Sequence, residues 1–552
     1  MKKLYILTSL LLIANIVFGQ NITPPDTRKQ SNQDTAKHVA KLDTINPNKG
    51  NVKEQLKVIK DTKVKLHSDS VAPDSIGNQP KVSAKIDTVK QNKYGDLLHD
   101  DSLYNKKYPL WIPFVEGIGD NVVLSLIDSR ILKYSWAMVN ETSWKSNLGA
   151  GPPWGPNWDW DQTRFGNDFM GHPYFGNLYY NDARANGYNF WASAPFALLG
   201  SYEWKIFGEN VTPERNSLIA TTIDGILLGE ILYRISSNIL DDRTTGANRT
   251  FREILATMID PMRGLNRFLQ GKTSRHTNKE VYQKEPLNIT LYAGIHKVNG
   301  HTNAILSGRT TEMINIQFDY GNPFEVRSRD PFDFFKLRLE TDLGQGRKFI
   351  DNITGYGILI GRNAQCGKVP LLEGIFLSYD YWDNPIFELS TIGLGPSVFS
   401  KLILGKKSYL YTNLHLGLVP FGGTSTGVVS DTSQSRDFNF CYGAQGKIES
   451  SLVLGNIATI GITYYYYWLH CINSVGQDEP AGLSSLGNNS LGILQPKVTV
   501  QIYKDLSIGA VYYLYAETHS APGFPVYSVT QTEQKVFVQF YFEDAQRRGH
   551  YD

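Results

Sequence analysis

Over its last ~260 residues the chain alternates apolar and polar side chains, and few folds tolerate that pattern for so long. In LNITLYA, Leu287, Ile289, Leu291 and Ala293 fall on one side, Asn288, Thr290 and Tyr292 on the other. INIQFDY sets Ile314, Ile316, Phe318 and Tyr320 against Asn315, Gln317 and Asp319, and FKLRLET sets Phe335, Leu337 and Leu339 against Lys336, Arg338 and Glu340. Successive strand side chains point to opposite faces, so each segment carries one apolar and one polar face. Soluble sandwiches alternate too, but their strands average about five or six residues. Segments of roughly ten suit a tilted strand crossing a bilayer with its apolar side on lipid. The expected fold class is α+β: a small helical module followed by an antiparallel transmembrane β-barrel of ~12 strands, even-numbered as in bacterial single-chain barrels.

The punctuation agrees. Gly455-Asn456 and Lys504-Asp505 read as tight turns, and residues 417–436, 471–490 and 518–533 as long surface loops. The tight connection from Trp382 to Pro385 breaks the alternation of long and short. Tyr464 to Trp468 resembles an interfacial girdle, and the terminal aromatic of VFVQFYF resembles a signal read by the barrel-assembly machinery. Outer-membrane lipids are the expected surroundings. Asp319, Lys336, Arg338, Glu340, Asp380, Lys447 and Glu449 are expected to face the lumen. Their mixed signs suit a polar interior engaging a helical plug better than a channel selective for one charge, and ~12 strands enclose less space than a 16–18-strand porin.

Five regions follow: a signal peptide (1–19), a periplasmic linker (20–95), the helical module (110–275), the barrel (285–543) and a tail (544–552). The leader MKKLYILTSLLLIANIVFGQ has a basic start, an apolar core and a small-residue cleavage point after Gly19. From Asn21 to Lys93 there is no aromatic residue, so the segment buries too little apolar area to offset its ordering entropy. It reads as a spacer, or as a docking arm whose lysines meet a periplasmic partner or anionic polymer. Net charge is +2, which gives no global field for nucleic acid. Three cysteines make no disulfide framework, though Cys441 and Cys471 are nearly equidistant from the turn at Gly455 and can face each other across one hairpin.

Ahead of the barrel the period is helical. Val122, Val123, Leu126, Ile127, Ile131 and Leu132 predict a helix over 121–139 with Asp120 or Asn121 as its cap. Pro173 reads as the first residue of the next helix, which leaves His172 at the cap, and Gly187 as its left-handed stop. Further helices are expected over 190–208 and 217–240. Gly225 and Gly229 form a small-residue seam on the last, and Glu230 and Arg234 are spaced for an ion pair. Asp224, Glu230 and Arg234 would each cost roughly 2.5–3.5 kcal/mol near a bilayer centre, so this helix must pack on protein, inside the barrel or beneath it. The basic stretch from Arg243 to Arg267 reads as a connector.

HPYFGNLYYNDARANGYNFWASAPFALLGSYEWKIFGEN followed by IATTIDGILLGEILYR resembles domain-of-unknown-function family 3943, exported proteins of Gram-negative bacteria in which a helical module precedes an outer-membrane barrel. The resemblance covers residues 135–270 and rests on His172-Pro173-Tyr174, Gly176, Tyr179, Ala183-Arg184, Asn186-Gly187, Gly200-Ser201, Trp204, Glu209 and Gly229-Glu230. Lys205 stands where the family often has Glu, and Asn216-Ser217 where Asn-Asp is expected, so chemistry resting on those two acids would be missing here. The family brings no reaction with it.

Two functions stay open. Without catalysis, the protein would organise the envelope or restrict transport. As an enzyme, it would act on lipid or lipopolysaccharide through candidates His172, Glu209, Glu230, Asp168 and Arg184, a base with its orienter. Against that, Pro173, Gly176, Gly187, Gly225, Gly229 and Arg234 read as structural, and the acids as buried pairs fixing helix order. No cofactor cradle or metal-ligand spacing is present.

Overall fold

The computed structural model describes residues 106–160, 165–299, 309–344, 350–384, 386–425, 438–473, 487–520 and 526–543. The leader, the linker and the tail lie outside them. Seven α-helices precede the strands among the described residues. They are α1 (Trp111–Leu126), α2 (Glu141–Gly149), α3 (His172–Ala185), α4 (Phe190–Phe207), α5 (Arg215–Ile239), α6 (Gly246–Ile259) and α7 (Pro261–Leu269). The strands are β1 (Leu287–Asn299), β2 (Arg309–Tyr320), β3 (Phe335–Asp342), β4 (Ile350–Cys366), β5 (Val369–Asp383) and β6 (Glu388–Ile403), then β7 (Ser408–Ser425), β8 (Phe438–Leu454), β9 (Ala458–Asn473), β10 (Asn488–Tyr503), β11 (Leu506–Ser520) and β12 (Tyr527–Phe542).

Each strand pairs antiparallel with the next, and β12 returns to β1 with Phe542 opposite Ile289. Closure removes the unpaired edges that an open sheet would present. Twelve strands is the number the alternation implied. Their length is not, because β4 to β12 run to 15–18 residues. The ladders extend past the bilayer-length segment and take up much of what read as long loops. The β5–β6 connection is short yet lies at the same end as the longer ones, so the strand count holds. At the other end Gly455 and Lys504 turn the chain with φ of 56° and 41°. Cys441 and Cys471 lie directly opposite each other as free thiols.

The lumen is filled by the wall itself. Lys336 on β3 donates to Glu449 on β8 at 3.1 Å, Lys447 on β8 pairs with Asp380 on β5, and Lys535 on β12 pairs with Glu340 on β3. Such chords between distant strands fix which face is inward. Arg338 donates to Gln317 at 3.0 Å, and Gln317 to Asp319 at 2.6 Å. Around them pack Tyr292, Tyr465, Tyr467, Tyr513 and Tyr515. Tyr464 to Trp468 therefore contributes only half a girdle: Tyr464, Tyr466 and Trp468 stay exposed, while Tyr465 and Tyr467 turn inward.

The helices form no plug and do not hang beneath the barrel. They lie against its outer wall. Residues 376–383 of β5 are buried on both faces: Asp380 points inward to Lys447, and Tyr379 and Tyr381 point outward under the helical module. The Tyr379 hydroxyl donates to the Phe169 carbonyl, and Phe165 stacks on Tyr381 at 5.4 Å. Outward-facing Tyr320, Phe335, Leu337, Ile392, Phe421 and Phe440 join one core with Tyr180, Phe190, Leu227 and Ile231 of the helices. The expectation of a buried α5 was sound, but inside and beneath were not the only sheltered places. An outward wall rich in aromatic residues shelters a helix equally well.

Local departures have local causes. The first helix begins at Trp111, ten residues before its expected start, and gives way to a π turn over Ile127–Ile131. Apolar spacing alone missed the opening turns, where Pro113 and Gly117 occupy the buried face. His172 is helical, with φ −59° and ψ −45°, and does not cap. A π turn over Asn167–Gly171 leads into it, and the His172 N–H reaches back to the Asn167 carbonyl. That wider turn admits Pro173, whose ring would otherwise crowd the preceding turn. The stretch read as a connector is α6 and α7, with the Asp260 side chain accepting from the Arg263 N–H to start the second.

Candidate functional site

The densest set of ionisable groups sits where α3 and α5 touch. Both carry glycine at the contact: a Cβ on Gly176 would lie 1.7 Å from the Thr221 carbonyl oxygen, and one on Gly225 would lie 2.5 Å from the Gly176 Cα. That approach brings Glu230 beneath α3. Arg184 donates to both its oxygens at 2.7 and 2.8 Å, Arg234 adds a third contact at 2.8 Å, and the Tyr180 hydroxyl a fourth at 2.6 Å. Glu230 is fully buried and its two oxygens share four donors. Arg234 continues to Asp333 at 3.0 Å and to the Pro331 carbonyl at 2.6 Å, in the loop between β2 and β3. The network thus ties α3, α5 and the barrel together. With every lone pair engaged and no solvent, Glu230 is in no position to accept a proton from a substrate.

Glu209 belongs to a second cluster. It accepts from the Trp204 indole at 2.6 Å and from Lys205 at 2.9 Å, and Lys205 also donates to Glu214 at 2.7 Å. Lys205 is almost fully buried, so the residue that departs from the family pattern is the cation holding two acids. His172 lies at the edge of this cluster: its Nε2 is 3.2 Å from the Ser217 hydroxyl, which is 3.5 Å from Glu214, and 3.7 Å from Asp168. Both approach the same ring nitrogen. A relay needs the acid on one nitrogen and the nucleophile on the other, so this is no triad. The five candidates thereby fall into two sets, Glu230 with Arg184, and Glu209 linked through Lys205, Glu214 and Ser217 to His172 and Asp168. Gly187 has φ of +89° after α3, and a Cβ on Gly229 would strike the Tyr180 ring. Among the described residues, no three His, Cys, Asp or Glu side chains are placed to hold a metal ion.

Sequence reasoning missed Tyr180, Glu214 and Asp333, and read Lys205 only as a departure from the family pattern. Lys205 left a signal, as the lone cation in FWASAPFALLGSYEWKIF. Asp333 left none, since it lies 99 residues from Arg234. Within the lumen, Tyr292, Asn315, Arg338, Glu340 and Lys535 line a cavity of about 60 Å³, room for a few waters and no more.

With this geometry in place, residues 157–262 match the model of a family described as a domain of unknown function, DUF3943. The match falls within the helical module. That segment contains α3, α4, α5 and α6, so the Glu230 and Lys205 clusters lie within it. No curated protein matches the chain. Among solved structures, the chain is similar to a NanC porin (7% identity, 46% of this chain and 98% of that one, TM-score 0.24). It is also similar to the outer membrane channel DcaP of Acinetobacter baumannii (7%, 47% and 96%, 0.20) and the Pseudomonas putida toluene transporter TodX (9%, 47% and 90%, 0.20). Likenesses this distant carry no argument about this chain.

Proposed function

We propose that this protein is an outer-membrane barrel acting in envelope organisation, with the DUF3943 module as a rigid strap on its wall and no catalytic role. Its exposed wall carries Ile460, Ile462, Val498, Val500, Val536 and Phe540, an apolar surface that lipid satisfies and water does not. The observation that carries the functional reading is the double closure. Lysine–carboxylate chords and tyrosines fill the lumen, and Glu230 and Glu209, the two glutamates among the candidates, are held by dry partners. A closed lumen argues against bulk passage of solutes, and the pairing of Glu230 and Glu209 argues against proton transfer by either of them. The linker would then carry the attachment to a periplasmic partner.

The test pairs two measurements. Purified full-length protein in a planar bilayer should show no steady conductance, and large stepwise openings would overturn the closed lumen. In a strain lacking the protein, His172→Ala and Asp168→Asn variants that reach the membrane folded should restore the envelope's resistance to detergent as fully as wild type. A folded variant that fails to do so would favour the enzyme acting on lipid or lipopolysaccharide.

A further inference from the structure

We infer that the helical module lies within the bilayer beside the barrel, with the outer faces of α1 and α4 in direct contact with acyl chains. This rests on the outer-membrane reading and deepens it by naming lipid as the occupant of a helical surface. The first ground is that the two helices are inside out. On α1 the large side chains Trp111, Phe114, Val115, Val122 and Leu126 share one face and are all about half exposed or more, while Gly117, Asp120 and Asn121 are turned inward. On α4 Trp191, Leu198 and Leu199 are exposed, and the buried residues are mostly small or polar (Ser193, Ala197, Gly200, Ser201 and Lys205), with Phe190 and Ile206 buried at its two ends. A helix on a water-facing surface shows the opposite arrangement, with its apolar stripe toward the core. Small and polar residues inside with large apolar ones outside is the pattern of helices packed in lipid, where close backbone approach and internal hydrogen bonds hold them together.

The second ground is depth. Arg234, near the C-terminal end of α5, binds the β2–β3 loop at the tight-turn end of the barrel. Near its N-terminal end, Arg215 lies over Trp160, which packs on Phe440 close to the opposite rim. A helix of 25 residues is ~37 Å long, enough to cross a hydrocarbon layer of ~30 Å. Alone it could not do so, and no helix in the described residues is apolar enough to cross by itself. Here it is flanked by the barrel on one side and by α3, α4 and α6 on the others. The third ground is continuity. The strands beneath the helices share their outer face with the exposed wall, so lipid that wets Ile462 meets the helices at the same level unless it is pushed aside.

Spin labels test this on the full-length protein in phosphatidylethanolamine–phosphatidylglycerol vesicles. On a Cys366→Ser background, which leaves only the two buried thiols, single labels go to Val115→Cys and Leu199→Cys. Ile462→Cys on the bare wall serves as the lipid reference and Lys145→Cys as the water reference, since Lys145 and its partner Glu141 are both exposed. Collision with oxygen relative to a water-soluble nickel chelate should be several-fold higher at 115 and 199 than at 145, and equal to that at 462. A ratio at 115 and 199 matching 145, with 462 still in lipid, overturns the inference and leaves the outer-membrane barrel standing. Shielding from both reagents would mean a second protein surface covers the helices, which also overturns it. Nickel access at 462 would bring down the outer-membrane reading itself.

Discussion

Glu230→Gln is the substitution most exposed to error. It preserves shape and removes one charge from a site where two guanidinium groups converge. Arg184 loses a bidentate carboxylate at 2.7 and 2.8 Å, and Arg234 keeps only Asp333 and a carbonyl. A glutamine also turns an amide N–H₂ toward donors, so one contact becomes repulsive. Breaking a buried pair from one side costs about 3–5 kcal/mol, which is more than a hundredfold in the local opening equilibrium. The barrel ladders do not pass through Glu230, so the loss should be confined to the helices. Deuterium exchange should rise by that factor in α3 and α5, with β9 to β11 unchanged. Removing both partners with Glu230→Met and Arg184→Met should be milder than the single change, because no lone buried charge remains. Exchange in Glu230→Gln within a few-fold of wild type would refute the dry, saturated network.

Two further outcomes follow from the same structure. Gly176→Ala should separate α3 from α5, costing about 1–3 kcal/mol or more as overpacking does, whereas Gly119→Ala on α1, whose added Cβ meets nothing within 4 Å, should raise stability by about 0.5–1 kcal/mol in thermal melts. Burial holds the Asp260 carboxyl up to about 6 despite its bond to the Arg263 N–H. Its folded value exceeds the unfolded one, so the stability its proton adds is complete below pH ~4 and is lost as pH rises through 6. Asp260→Asn, which can still cap α7, should therefore gain on wild type between those limits in melts taken across pH. A constant difference would show that Asp260 is solvated.

The barrel was legible because its signal is repetitive: each strand repeats the same two-residue period, and errors in one segment are outvoted by the others. Loop boundaries were less so, since long ladders keep alternating beyond the lipid, as at Leu418 and Val419 on β7. The Glu230–Arg234 pair could be read from its four-residue spacing, and the glycine seam from Gly225 and Gly229. What could not be read was the side of the wall that the helices occupy. A strand with Tyr379 and Tyr381 outward looks alike whether lipid or a helix covers it, and Phe169 reaches Tyr379 across 210 residues. His172 was misplaced because the rule for residues before proline assumes an ordinary α turn, and a π turn precedes this one.

Cross-linking at one strand tests most directly which side of the wall the helices take. Gly423 and Thr424 are neighbours on β7 with opposite directions: a side chain at 423 would meet the Phe169 ring, while Thr424 accepts a hydrogen bond from Asn489 inside the barrel. With Phe169→Cys on α3's leading turn, a short bifunctional thiol reagent should join it to Gly423→Cys and not to Thr424→Cys. Efficient joining to Thr424→Cys, with Gly423→Cys left unlinked, would put the helices in the lumen and contradict the account.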